Sequence, residues 1–278
     1  MAIKLIVLDV DATLIDSPKE RLVSQPVKDA ITAAIEKGII VSIASGRNYA
    51  LIQDYVLDLK ITGPCICCNG AVILDDEQIY YQKDIHPKTV TFCLQFAKEH
   101  HLMVAIFDGY HSYLVSSDHS LKHQNRKETD HVTMARCNFD EYPGLCTGDV
   151  YTLSFVSELY GDMERSFKKF LRLAETGAVP QEVEVEISQA SSHLNVFSVT
   201  AKDVNKGSSL VELAKLYGLR KEEIMAIGDS ENDLAMIKMA GIGVAMGNGL
   251  QILKDCADYV APSVCEDGVA EAIERFAF

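Results

Sequence analysis

The chain has 278 residues, with 40 acidic against 26 basic side chains and a formal net charge of −14. A composition that is 48% hydrophobic and 24% charged has ample apolar side chain to offset the entropy of ordering, which excludes disorder as the main state. Such an acidic chain repels nucleic acid and anionic lipid, and no stretch approaches the ~20 apolar residues of a membrane span, so neither partner is expected.

Taken in chain order, residues 4–9 are a continuous apolar run that closes on a carboxylate. The run is too short for a signal peptide and reads as a buried strand, with the cytoplasm as the expected location. Residues 23–37 have helical spacing, with Val27, Ile31, Ala34 and Ile35 on one face and Gly38 as the stop. A second apolar run, 39–44, ends in Ser45-Gly46-Arg47; a helix over 49–59 and a third apolar run around Ile66 follow. This repetition is the pattern of a parallel sheet covered on both faces. Between 84 and 192 the pattern changes. Strands are expected at 103–107, 112–115, 150–156 and 183–187, with helices at 89–100 and 163–175, as in an α+β unit with a mainly antiparallel sheet. The last part returns to the first pattern. A helix over 206–217 is followed by a strand at 224–227, a helix at 232–239, a strand at 242–246, a short helix, a strand at 259–261 and a final helix from 266. The expected architecture is an α/β core built from 1–83 and 193–278, interrupted by an inserted domain over 84–192.

Eight cysteines without a secretion signal suggest free thiols in a reducing compartment. Cys65 and Cys68 form one C-x2-C pair, but no second pair follows at zinc spacing. With Cys67 they read as small apolar strand residues. Gly241-Ile-Gly243-Val-Ala-Met246 imitates a dinucleotide fingerprint but carries Met at the third position, inside an apolar strand.

Four stretches carry the polar chemistry. Asp9-Val10-Asp11-Ala12-Thr13-Leu14 follows the first strand, and ligands of open α/β sheets bind beyond the carboxyl ends of strands. Residues i and i+2 of a strand point to the same side, so Asp9 and Asp11 are expected to share one small volume and to need a cation or a shared proton between them. The Ser45 hydroxyl and the Gly46 N–H could grip a phosphate oxygen, although an N-cap at a strand-to-helix turn explains Ser45 equally well. Lys206 opens a helix against the dipole preference, which makes sense if the ammonium serves an anion or a carboxylate. Gly228-Asp229-Ser230-Glu231-Asn232-Asp233 places Asp229 at another strand tip, where it could be a further oxygen ligand for a hard cation such as Mg²⁺.

Together the four stretches, in this order, resemble the haloacid dehalogenase-like (HAD) phosphatases of the Cof-type branch (subclass IIB), and within it the sugar-phosphate phosphatases most. Asn69-Gly70-Ala71, Val204-Asn205-Lys206-Gly207, Gly247-Asn248 and Glu266-Asp267-Gly268-Val269 extend the likeness over nearly the whole chain. The resemblance implies a Rossmann-like core with a large α+β cap of type C2 that closes over the site. It implies a Mg²⁺-dependent phosphatase acting on a small phosphorylated metabolite through an aspartyl-phosphate. Asp9 would be the nucleophile and Asp11 the acid and base. Ser45, Gly46, Lys206 and Asn232 would bind the phosphate. Asp9, Asp229 and the main-chain carbonyl of Asp11 would hold the metal, with Asp233 behind them. A phosphotransferase or phosphomutase would use the same intermediate. A non-catalytic binding protein on this fold would be expected to lack one of Asp9, Asp11, Lys206 and Asp229, and all four are present. A homo-oligomer is left open. The chain departs from the family at Ala12, where Gly is usual and where Ala is expected to be tolerated at negative φ. It also departs at Asp203, another common Gly, and at Phe197-Ser198-Val199, where Leu-Glu-Ile is usual.

Overall fold

The computed structural model describes residues 2–16, 22–61, 63–117, 135–142, 148–157, 160–190 and 194–278. The chain divides into two compact units, Met1–Tyr81 with Asn205–Phe278, and Gln82–Val204.

The N-terminal arm supplies β1 (Leu5–Leu8), α1 (Gln25–Glu36), β2 (Ile40–Ile43), α2 (Gln53–Asp58), β3 (Cys65–Cys67), β4 (Val72–Leu74) and β5 (Ile79–Gln82). The middle supplies α3 (Pro87–Glu99), β6 (Met103–Phe107), β7 (Ser112–Ser116), β8 (Ala135–Asn138), β9 (Thr152–Val156), α4 (Tyr160–Glu175), β10 (Val183–Ala190) and β11 (Leu194–Ala201). The C-terminal arm supplies α5 (Lys206–Leu216), β12 (Ile224–Gly228), α6 (Leu234–Met239), β13 (Ile242–Ala245), α7 (Gln251–Lys254), β14 (Tyr259–Val260) and α8 (Gly268–Ala277). Among the described residues no helix is long and apolar enough to cross a membrane.

In the first unit a parallel sheet runs β14-β13-β12-β1-β2. All four residues of β1 are fully buried, as a central strand covered on both faces requires. On α1, Val27, Ala30, Ile31 and Ala34 form the buried stripe, and Gly38 with φ +80° ends the helix. On one face Leu5, Val7 and Ala226 pack with Leu210 and Leu213 of α5 and with Met236 and Ile237 of α6. A small sheet, β3-β4-β5, joins β2 through the bridge Ala44–Ile66; it was not expected, since three-residue strands leave little periodic signal.

The second unit is a six-stranded sheet, β10-β11-β9-β6-β7-β8, antiparallel except for β7–β8. Its extent corrects the expected boundaries of 84–192 and 193–278. Strand β11 pairs with β10 from Val183–Ala201 to Ala190–Leu194 and with β9 on its other side, so 194–204 belongs to this unit. Phe197 and Val199, two positions apart on the strand, lie in this unit's own hydrophobic core. Phe155 and Phe197 stack there at 4.5 Å between ring centroids, with Phe170 at 5.5 and 5.6 Å from them. Truncating a buried aromatic removes its transfer energy and leaves a cavity. Phe197→Ala is therefore expected to destabilise the protein by about 3–5 kcal/mol, read as a fall in the urea midpoint.

Candidate active site

The register of the parallel sheet creates the site. β1 lies beside β12 with Leu8 opposite Ile227, and the Asp9 N–H continues the pairing by donating to the Ile227 carbonyl at 3.0 Å. Asp9 and Asp229 are thus delivered together at the carboxyl ends of two central strands.

Lys206 enters from α5. Its Nζ is buried and donates to Asp9 Oδ1 and Asp233 Oδ1, each at 2.6 Å. A cation in a first helical turn opposes the dipole, and the two carboxylates offset that cost. The helix start is held by a reciprocal cap. Ser208 N–H donates to Asn205 Oδ1 at 2.8 Å, and Asn205 N–H donates to Ser208 Oγ at 3.1 Å. Against it lies a turn of three consecutive left-handed residues, Cys68, Asn69 and Gly70. Ser209 Oγ donates to the Gly70 carbonyl, and a Cβ on Gly70 would lie 2.3 Å from the Asn205 carbonyl oxygen. Only glycine permits that approach.

Asp233 is fully buried. Its Oδ2 accepts from the N–H groups of Asp229 and Ser230, both at 3.0 Å. A Cβ at Gly228 would stand 2.5 Å from the Asp233 carboxyl carbon, so glycine at that strand end lets the carboxylate fold back beneath Asp229. Asp9, Asp229 and Asp233 each offer an oxygen within 4.8 Å of the others. Burial, then Asp233, push the Asp9 carboxyl well above its ordinary value, with Lys206 opposing. Burial and Asp233 also push Asp229 up to about 7. Burial works against the charge on Lys206, but Asp233 and Asp9 outweigh it and hold the ammonium above its usual range. Three carboxylates against one ammonium leave an excess of negative charge on hard oxygen donors, which fits a divalent cation such as Mg²⁺.

The other expected residues fall around this cluster. The strand alternation expected to bring Asp9 and Asp11 to one side does not extend past Leu8. β1 ends at Leu8, residues 12–14 form a turn, and strand alternation no longer applies. The Asp11 carboxylate stays outside the acidic cluster and is held bidentately by Arg47, Nε to Oδ2 at 3.0 Å and Nη2 to Oδ1 at 2.5 Å. Its charge is answered by a guanidinium rather than by a shared cation or proton. Ser45 is buried, and its Oγ accepts from the Arg47 N–H at 3.1 Å. Gly46 lies against the Asn69 side-chain amide. Asn232 Nδ2 donates to Asn69 Oδ1 at 3.2 Å, and Asn232 Oδ1 accepts from Ser230 Oγ at 2.7 Å. Asn69 therefore ties the 45–47 turn to the 229–233 turn. Thr13 Oγ1 donates to Asp229 Oδ1 at 3.3 Å. Residue-by-residue reading had assigned nothing to Asn69, Thr13 or Arg47. Cys65, Cys67 and Cys68 are buried, and burial pushes the Cys65 thiol up to about 12; Cys65 and Cys67 lie in β3 as expected, whereas Cys68 falls in the left-handed turn after it.

A sequence profile of the haloacid dehalogenase-like hydrolases matches residues 6–273. The chain belongs to this family. It is 29% identical over 277 residues to the 5-amino-6-(5-phospho-D-ribitylamino)uracil phosphatase YcsE of Bacillus subtilis, covering 99% of this chain and 96% of that protein. It is 30% identical over 276 residues to a phosphoglycolate phosphatase of Methanobrevibacter smithii, covering 99% of each. A solved haloacid dehalogenase-like hydrolase from Bacteroides thetaiotaomicron superposes with a TM-score of 0.79 at 28% identity, over 98% of this chain and 99% of that one. A sugar phosphatase of HAD subclass IIB does so at 0.79 and 26% identity, over 98% of each. The protein is a Cof-type HAD phosphatase.

At Ala12 the structure corrects the expectation of a negative φ: the residue is left-handed, at φ +58°. Asp203, the other departure from a usual Gly, is left-handed too, at φ +60°. This HAD chain keeps the backbone that glycine would take and carries the steric cost of a Cβ there. Ala12→Gly is expected to relieve about 1–2 kcal/mol of left-handed strain. Greater freedom of the unfolded chain returns about 0.4–1 kcal/mol of that. The net outcome is a higher urea midpoint at unchanged slope.

The acidic cluster gives a second expectation, for chelator-treated protein. The folded Asp229 carboxyl, at about 7, lies above its unfolded value near 3.8, so the folded state binds the extra proton. Stability from this group is complete below about pH 4 and is lost as pH rises to about 7. Asp229→Asn removes that loss. Its melting temperature should exceed wild type by a margin that grows between pH 4 and pH 7 and then stays constant.

Proposed function

We propose that this HAD phosphatase hydrolyses small phosphate monoesters, sugar phosphates foremost, with Asp9 as nucleophile and Mg²⁺ as cofactor. The observation that carries the reading is Lys206 bound to Asp9 beside Asp229 and Asp233. The phosphatase names of its relatives and the likeness to a subclass IIB sugar phosphatase support it.

In this reading an Asp9 carboxylate oxygen bonds to phosphorus as the bond to the leaving oxygen breaks. Asp11 gives the leaving oxygen a proton and then takes one from the water that cleaves the aspartyl-phosphate, releasing phosphate and restoring Asp9. Arg47 orients the Asp11 carboxylate through two hydrogen bonds. Lys206 keeps positive charge beside the attacking group, where two anions must meet. The Ser45 hydroxyl, the Gly46 N–H and the Asn232 amide would bind the remaining phosphate oxygens, and Asp233 holds Lys206 from behind. Asp9, Asp229 and the Asp11 carbonyl would hold the cation, which when bound neutralises phosphate charge.

Phosphate release from a panel of phosphorylated metabolites tests the reading. Dialysis against EDTA is expected to abolish turnover and added Mg²⁺ to restore it. Asp9→Asn should fold and be inactive. Asp11→Asn should lose about 10²-fold or more, the usual contribution of a general acid and base. Full activity after chelation, or wild-type rates for Asp11→Asn, would refute it.

A further inference from the structure

Asn248 is exposed, lies in the turn after β13, and uses both ends of its side-chain amide. Its Nδ2 donates to the Ala12 carbonyl at 2.8 Å, and its Oδ1 accepts from the Val264 N–H at 2.8 Å. The surrounding turn is anchored as well. Lys254 Nζ donates to the Gly247 carbonyl at 2.6 Å, and the Leu250 N–H donates to the Asp229 carbonyl at 2.8 Å. On its other side Ala12 donates its N–H to the Ile15 carbonyl at 2.8 Å. Two hydrogen bonds therefore flank the left-handed torsion, one on each peptide plane. The plane before it carries the Asp11 carbonyl. The plane after it leads to Thr13, whose hydroxyl reaches Asp229.

We propose that Asn248 is a positioning residue for Asp11, holding the strained peptide at Ala12 and thereby setting where the acid–base carboxylate stands. The proposal rests on the role given to Asp11 above. A Cβ disfavours left-handed backbone by an amount comparable to what one hydrogen bond contributes. With alanine at position 12, the Asn248 bond therefore decides whether the turn keeps its shape. With glycine there, the turn keeps it unaided.

Asn248→Asp tests this cleanly. It retains the acceptor for the Val264 N–H and removes the donor to Ala12. The readout is kcat/KM, which covers the step in which the leaving group departs, for p-nitrophenyl phosphate and for phenyl phosphate. Phenolate is the poorer leaving group and depends more on a proton from Asp11. Asn248→Asp is expected to lose about tenfold or more with phenyl phosphate and clearly less with p-nitrophenyl phosphate. The thermal melt should move by no more than about 3 °C, as suits one exposed hydrogen bond. In an Ala12→Gly background the same substitution should cost under about threefold, because the torsion no longer needs the bond. Equal losses on the two substrates, no loss, or an undiminished loss in the glycine background would overturn the proposal. So would unfolding of both Asn248→Asp and Asn248→Ala, which would mark a purely structural role. Asp11→Asn is measured alongside. If it leaves the leaving-group dependence unchanged, the acid–base reading fails, whatever Asn248 does.

Discussion

Lys206 sits buried at a helix start, bonded to Asp9 on one side and Asp233 on the other. An ammonium in that position is stripped of water and stands at the positive end of a helix. Both effects are unfavourable, and its two carboxylate partners must outweigh them. Much of the first unit can be understood as the scaffolding for that arrangement. The Asn205–Ser208 cap fixes where α5 begins. The left-handed turn at 68–70 presses on the cap without a side chain in between. Gly228 clears the space into which Asp233 folds. A shift in any of these would leave a buried charge without its partner, a fault that typically costs about 3–5 kcal/mol.

The charge balance of the site follows from the same constraint. One ammonium cannot neutralise three carboxylates, and burial raises the proton affinity of Asp9 and Asp229 as a result. The folded chain therefore stores electrostatic repulsion that a divalent cation would relieve. Fold and reactivity are linked here. The strand register that makes the sheet also concentrates the charge. Asp11 is kept apart, paired with Arg47. Its pairing with a guanidinium is compatible with the acid–base role proposed for it.

The second unit has a core of its own, built on Phe96, Phe155, Phe170 and Phe197. None of the chemical residues discussed lies in it. Relatives at similar identity are named for different phosphorylated substrates, a ribitylaminouracil phosphate and phosphoglycolate among them.

The alternation of apolar runs and helical spacing, read residue by residue, was enough to establish the parallel core, the change of architecture in the middle, and the strand tips that carry Asp9 and Asp229. These are local properties, since period and apolar content act within one segment. The order of the four polar stretches was enough to identify the family. Tertiary structure alone decided the rest. β11 belongs to the second sheet because of its pairing with β9, far earlier in the chain. Asp11 is held by Arg47, 36 positions on, whose fork matches its carboxylate once β1 has stopped at Leu8. Ala12 is left-handed, and its carbonyl is bonded by Asn248, 236 positions away. In each case the deciding partner is distant in sequence. Pairing and torsional strain depend on which groups meet in space, and a one-dimensional pattern does not encode that directly.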